Sequence, residues 1–118
     1  MRIAAIVGTR PQLIKLAALR PHLTAPIEPF VVDTAQHHDE LLAGQIYRDL
    51  GMAPPDLLLP GPGDLRDAAR LDAMVRALDA ALAQMRPDAV LVFGDTDSTL
   101  AGALAAHTLG IPIVHVEA

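Results

Sequence analysis

The run Ile3-Ala4-Ala5-Ile6-Val7 passes directly into Gly8-Thr9-Arg10-Pro11, and that junction leaves few folds open. Five apolar residues in a row suit a strand covered on both faces, as in a parallel sheet. Gly8 permits a sharp exit, and Thr9 suits a helix cap. Pro11 suits the first helical position, where its missing N–H costs nothing. The segment therefore predicts strand, turn and helix. Lys15 lies about one turn (~5.4 Å) further on, and helical side chains lean back toward the N-terminus. Arg10 and Lys15 are thus expected to converge where the helix offers free N–H groups and positive potential, which suits a phosphate. Lys15 is the only lysine, against eight arginines. Taken alone, the pair reads equally well as two solvated helix-end charges.

The alternation continues along the chain. Strands are expected at about residues 2–7, 29–33, 57–59, 88–93 and 111–116. Helices are expected at about 11–20, 37–51, 64–85 and 96–107, with Pro21, Gly51 and Gly110 as stops. The longest helix carries Leu71, Met74, Val75, Leu78, Leu82 and Met85 at helical spacing, a core stripe. Such a pattern implies an α/β fold: a Rossmann-like parallel sheet of order 3-2-1-4-5 with helices on both faces. Ligands in these sheets bind at the carboxyl ends of the strands, near the order reversal between strands one and four. That rule selects two turns, Gly8-Thr9-Arg10 and Gly94-Asp95-Thr96-Asp97-Ser98-Thr99.

Composition removes several classes. The 118 residues suit a single domain, and 52% hydrophobic content supplies a core. A net charge of −5 with three aromatic residues argues against nucleic-acid binding. The chain has no cysteine, so a disulfide scaffold, thiolate zinc and a thiol nucleophile are out. No apolar run reaches the roughly 20 residues of a membrane span, and no signal peptide is evident, so a cytoplasmic location is expected.

Candidate site residues come from the polar turns. Capping explains Thr96 and Asp97. It explains Asp95 less well, since Asp95 precedes the cap at the end of a strand, and a site role is favoured. Strand alternation puts Ile113, His115 and Glu117 on one face. Glu117, at the ligand-binding end, reads either as a partly buried proton-transfer group near Asp95 or as a surface glutamate at a frayed end. His115 reads as a hydrogen-bonded core histidine. His37 and His38 are neighbours that do not share a helix face, so no metal site is expected. His37 is expected to help orient a ligand and His38 to be exposed. His22 and His107 read as ordinary helix-end residues.

No Gly-x-Gly-x-x-Gly follows the first strand, no Walker pattern leads to Lys15, and Arg10 stands where a phosphoryl receiver needs acids. The ordered set does resemble the bacterial UDP-N-acetylglucosamine 2-epimerase family, of GT-B fold. The matching pieces are Gly8-Thr9-Arg10-Pro11 with Ile14-Lys15, Thr34-Ala35-Gln36-His37, Pro60-Gly61, Arg86-Pro87-Asp88 leading to Gly94-Asp95-Thr96, and His115-Val116-Glu117-Ala118. The resemblance implies inversion at C2 of UDP-GlcNAc to give UDP-ManNAc: UDP is eliminated to leave a 2-acetamidoglucal, then re-added. Hydrolysing members release ManNAc and UDP instead. It implies that Arg10 and Lys15 hold the departing diphosphate, and that Asp95 and Glu117 serve proton transfer at C2 or hold the sugar. It implies catalytic roles for Asp95, Glu117 and Lys15, no cofactor, and a homodimer for the intact enzyme.

Gln12 stands where the family usually has glutamate, and Ala18 where it usually has proline. These departures mark a divergent member and leave the UDP-sugar open. The family's enzymes are roughly three times longer, with two Rossmann-like halves. The chain, residues 1–118, is accordingly expected to be an incomplete N-terminal domain of a two-domain enzyme. Alone it is expected to be inactive and to self-associate or dissolve poorly through uncovered sheet surface. Competing readings are a non-catalytic module that binds a phosphorylated ligand or a protein, and part of a UDP-sugar glycosyltransferase.

Overall fold

The computed structural model describes residues 1–36 and 40–117, with backbone alone at 40–43. Five strands form one sheet: β1 (Arg2–Val7), β2 (Glu28–Asp33), β3 (Leu57–Leu58), β4 (Ala89–Phe93) and β5 (Ile113–Val116). The order is β3-β2-β1-β4-β5, every pair parallel. Between them run α1 (Arg10–Leu19), α2 (Glu40–Asp49), α3 (Asp67–Met85) and α4 (Asp97–Thr108).

The two-residue alternation of β1 explains the layers. Ala4 and Ile6 join Met74, Leu78 and Leu82 of α3 and Ala101 and Ala105 of α4 on one face. Ala5 and Val7 join Leu13 and Leu16 of α1 and Tyr47 of α2 on the other. β1 and β4 are thereby covered on both sides, which is why their sequences are unbroken apolar runs. Leu71, Val75 and Met85 pack against the first cluster, so the expected stripe of α3 does face the core.

Two described starts differ from expectation by two residues or more. The long helix begins at Asp67 rather than near Asp64, because Pro62 and Leu65 close a turn (3.1 Å) and Gly63 and Asp67 both take left-handed backbone angles. β5 begins at Ile113 rather than Ile111, because the Ile111 N–H instead donates to Ala106 O at the end of α4. The expected start of the second helix near His37 lies outside the described residues. At the sheet's edge, β5 exposes Ile113 and Val114, 41% and 49% accessible.

Candidate functional site

In a parallel sheet every strand delivers its carboxyl end to the same rim, so the turns after β1, β2, β4 and β5 are neighbours. Two buried hydrogen-bond networks tie together the turns after β1, β2 and β4. In the first, the Thr34 and Ser98 hydroxyls bond each other at 2.8 Å. Gln36 Oε1 accepts from Ser98 N at 2.9 Å and from the Ser98 hydroxyl. All three side chains press on Gly8, where a Cβ would stand 2.1 Å from Ser98 Oγ and 2.2 Å from Thr34 Oγ1. Gly8 is not in a left-handed conformation. Its requirement is space, not the backbone freedom expected from a sharp exit.

Gln12 carries the second network. It is 2% exposed. Its Oε1 accepts from Gly8 N (2.9 Å) and Thr9 N (3.2 Å). Its Nε2 donates to Phe93 O (2.9 Å), Thr96 Oγ1 (2.9 Å) and Thr99 Oγ1 (3.1 Å). The β1–α1 turn is thus bonded to the β4–α4 turn. Thr9 caps α1 with extended backbone, as expected, while its own hydroxyl is buried with no hydrogen-bond partner among the described residues.

The first turn of α1 carries no acidic residue. Its positive end is therefore not offset from within, and exposed Arg10 is its first residue. Lys15 lies one turn along and forms an ion pair with Glu117, Nζ to Oε2 2.8 Å. Its ammonium also lies beside Gly94, 3.9 Å from where a Cβ would be. Gly94 has a φ of +66°, and its carbonyl is bonded to His115 Nε2 at 2.6 Å. Asp95 follows, exposed and without a hydrogen bond or ion pair among the described residues.

Lys15 and Glu117 are therefore in contact, with Asp95 adjoining the glycine that Lys15 borders. Arg10 shares the rim and makes no hydrogen bond or ion pair with the other three among the described residues. Two details depart from expectation. Glu117 has a φ of +59°, which takes it out of strand register, and it lines the α1-side groove with Val116, Phe93 and Lys15. It is largely exposed (63%), which agrees with the reading as a surface glutamate and not with the partly buried one. His115 is exposed, not a core residue, although it is hydrogen-bonded. His37 and His38 lie outside the described residues. No group of three or more potential metal ligands occurs among the described residues.

Flanking groups shape the rim. Buried Asp33 accepts from Ala35 N (2.8 Å) and from Tyr47 Oη (3.0 Å), which bends the chain after β2 toward Gln36. Burial, reinforced by the Asp33 charge, pushes the Tyr47 hydroxyl pKa far above its ordinary value. Arg70 of α3 holds Asp97 Oδ2 through Nε (2.9 Å) and Nη2 (2.6 Å), so the acid of α4's first turn is already paired. Sequence reasoning passed over Gln12, Thr34, Gln36, Ser98, Asp33 and Arg70 as site-forming residues. Gln12 carried a usable signal of its own, since Thr9-x-x-Gln12 has the spacing of a capping box.

A family profile described as UDP-N-acetylglucosamine 2-epimerase matches residues 22–118. The chain is 38% identical, over 118 residues, to a UDP-N-acetylglucosamine 2-epimerase homolog of Methanococcus maripaludis, covering 100% of this chain and 33% of that protein. It is 36% identical to a UDP-2,3-diacetamido-2,3-dideoxy-D-glucuronate 2-epimerase of Pseudomonas aeruginosa, covering 100% and 34%. Its fold superimposes with a TM-score of 0.88 on the UDP-GlcNAc 2-epimerase of Methanocaldococcus jannaschii, solved with UDP-GlcNAc and UDP, at 34% identity over 100% of this chain and 33% of that one. The chain spans about a third of the length of these relatives.

Proposed function

The chain belongs to the UDP-N-acetylglucosamine 2-epimerase family, and from that membership we propose that it supplies the diphosphate-holding side of a site that inverts C2 of a UDP-linked 2-acetamido sugar. The observation that carries this reading is the meeting of Lys15, Glu117 and the Gly94-Asp95 turn beside the unoffset N-terminus of α1.

In the proposed reaction a base removes the C2 proton as the bond from C1 to the diphosphate oxygen breaks. The bonding pair leaves with UDP, and a C1–C2 double bond remains. Readdition of UDP at C1, with protonation of C2 from the opposite face, gives the epimer. Negative charge grows on the departing diphosphate. Arg10, Lys15 and the positive end of α1 are assigned to the place where it grows, and such preorganised charge lowers the barrier. The Thr9 hydroxyl, buried at the same helix end, suits the same anion. Glu117 holds Lys15 in place until a phosphate competes for it. Asp95, exposed at the rim, is assigned to the sugar side, as general base or as a hydroxyl acceptor. His37 is assigned to orienting the ligand. Elimination and readdition are redox-neutral and need no organic cofactor.

The reading assigns the facing wall of the cleft to further length of the kind the relatives carry, and catalysis to an intact homodimer. This chain is expected to bind UDP without turnover, with affinity of about 1 mM or weaker. Titration with UDP and with UDP-GlcNAc, followed by amide NMR, should move the resonances of residues 8–15 and 94–95. Changes confined to other surfaces would refute the site. In an intact protein, solvent deuterium should enter C2 of the product. Sugar transfer to an acceptor without such exchange would refute epimerisation in favour of glycosyl transfer.

A further inference from the structure

Gln12 has no surface with which to touch a ligand, being 2% exposed, yet it joins both turns that the proposed ligand would contact. Its two ends are chemically distinct. Two N–H donors face Oε1 and one carbonyl faces Nε2, so the amide orientation follows from its partners. A carboxylate in its place keeps the bonds from Gly8 and Thr9 but has no hydrogen for the Phe93 carbonyl unless protonated. An aliphatic chain keeps neither.

The far end is equally specific. Thr99 Oγ1 receives Gln12 Nε2, donates to Phe93 O, and accepts from Thr96 N at 3.1 Å. One buried amide and one hydroxyl thus hold the last residue of β4 and the cap of α4 against the cap of α1. Arg10 and Lys15 stand on one side of this brace, Gly94 and Asp95 on the other. Among the described residues no other side-chain hydrogen bond joins these two turns, and the Thr34–Ser98 bond enters α4 from the β2 side instead.

We infer that Gln12 is a positioning residue for diphosphate binding: its amide sets the α1 N-terminus against the Gly94-Asp95 turn so that one phosphate group engages both. This rests on the UDP-site reading above. The effect is on ligand geometry, because a ligand that spans two turns loses affinity when they drift, even with each turn intact.

The test uses UDP as the probe on the full chain, with dissociation constants from amide NMR titration. Gln12→Met removes the amide at similar length. Thr99→Val removes the receiving hydroxyl at similar volume from the opposite end and leaves the bonds to Gly8 and Thr9 in place. Each variant should weaken UDP about five-fold or more, with resonances of β2 and β3 unchanged. The double variant should be no weaker than the weaker single, because both cut one brace. If Gln12→Met does not fold, Thr99→Val alone carries the test. Wild-type affinity in a folded variant, or losses that multiply in the double, would overturn the inference. Absence of UDP binding by the unaltered chain would instead overturn the site reading on which it rests.

Discussion

Replacing Gly8 with alanine tests the rim more severely than any change to its charges. The added Cβ would lie 2.1 Å from Ser98 Oγ, 2.2 Å from Thr34 Oγ1 and 3.1 Å from Gln36 Cβ. Both hydroxyls must retreat by about 1 Å to reach ordinary contact. Ser98 and Thr34 are 0% and 1% exposed, with no solvent to retreat into. Their mutual bond and the bonds from Ser98 to Gln36 would be lost or stretched. Overpacking plus two unsatisfied buried groups should cost about 3–5 kcal/mol. That is a large part of the stability of a small domain, and should lower the thermal midpoint by about 15 °C. Circular dichroism during urea and thermal unfolding measures both quantities. The cause is steric, so Gly8→Ala made in a Thr34→Ala, Ser98→Ala background should cost only about 1 kcal/mol. A loss below about 1 kcal/mol in the native background, or an equal loss in both backgrounds, would refute the packing argument.

Gly94 offers the contrast. Its φ is +66° but a Cβ there meets only Lys15 Nζ at 3.9 Å, so Gly94→Ala should cost about 1–2 kcal/mol through the backbone alone, and a loss as large as that of Gly8→Ala would contradict this division. Tyr47, the chain's sole tyrosine, gives a clean alkaline readout. Its pKa is raised in the folded state, so its share of stability is complete below about pH 10, the unfolded value, and declines above it as only the unfolded chain ionises. Tyrosinate absorbance should therefore rise together with the loss of helicity, and a reversible rise near pH 10 with helicity intact would be incompatible with the buried Asp33 contact. Asp97→Asn should cost about 1 kcal/mol by weakening the partly buried Arg70 fork, and the cost should shrink in 1 M salt. A salt-independent cost would show that the contact is not ionic in origin.

The sheet was legible because apolar runs and glycine or proline stops alternate at the spacing of β-α units, and right-handed crossovers leave few strand orders. Positions fixed by local chemistry were legible too, such as Thr9 at the helix cap and the stripe from Met74 to Leu82. What lay hidden depends on residues distant in the chain. Nothing near Gly8 announces that Ser98 and Thr34 fill the space beside it. Gln12 stood out only as an uncharged residue in place of an acid, whereas its role comes from Phe93 and Thr99. Glu117 was assigned a face by strand alternation, a rule that lapses where the backbone turns left-handed. The pairing of Lys15 with Glu117 emerges only once β5 lies beside β4 and α1 covers them.

The long reach of these bonds also has a temporal meaning. Gln12 spans 81 residues to Phe93 and 87 to Thr99, and Thr34 spans 64 to Ser98. Closing such loops is entropically late, and chains rich in distant pairings fold slowly. The hairpin-free neighbourhood of β1 and β2 can condense early, but the ligand-ready rim cannot exist until β4 has docked. Recovery of UDP binding after a denaturant jump should therefore trail the return of helical signal, and any fluctuation that releases β4 erases the anion cradle as a whole instead of loosening it piecemeal.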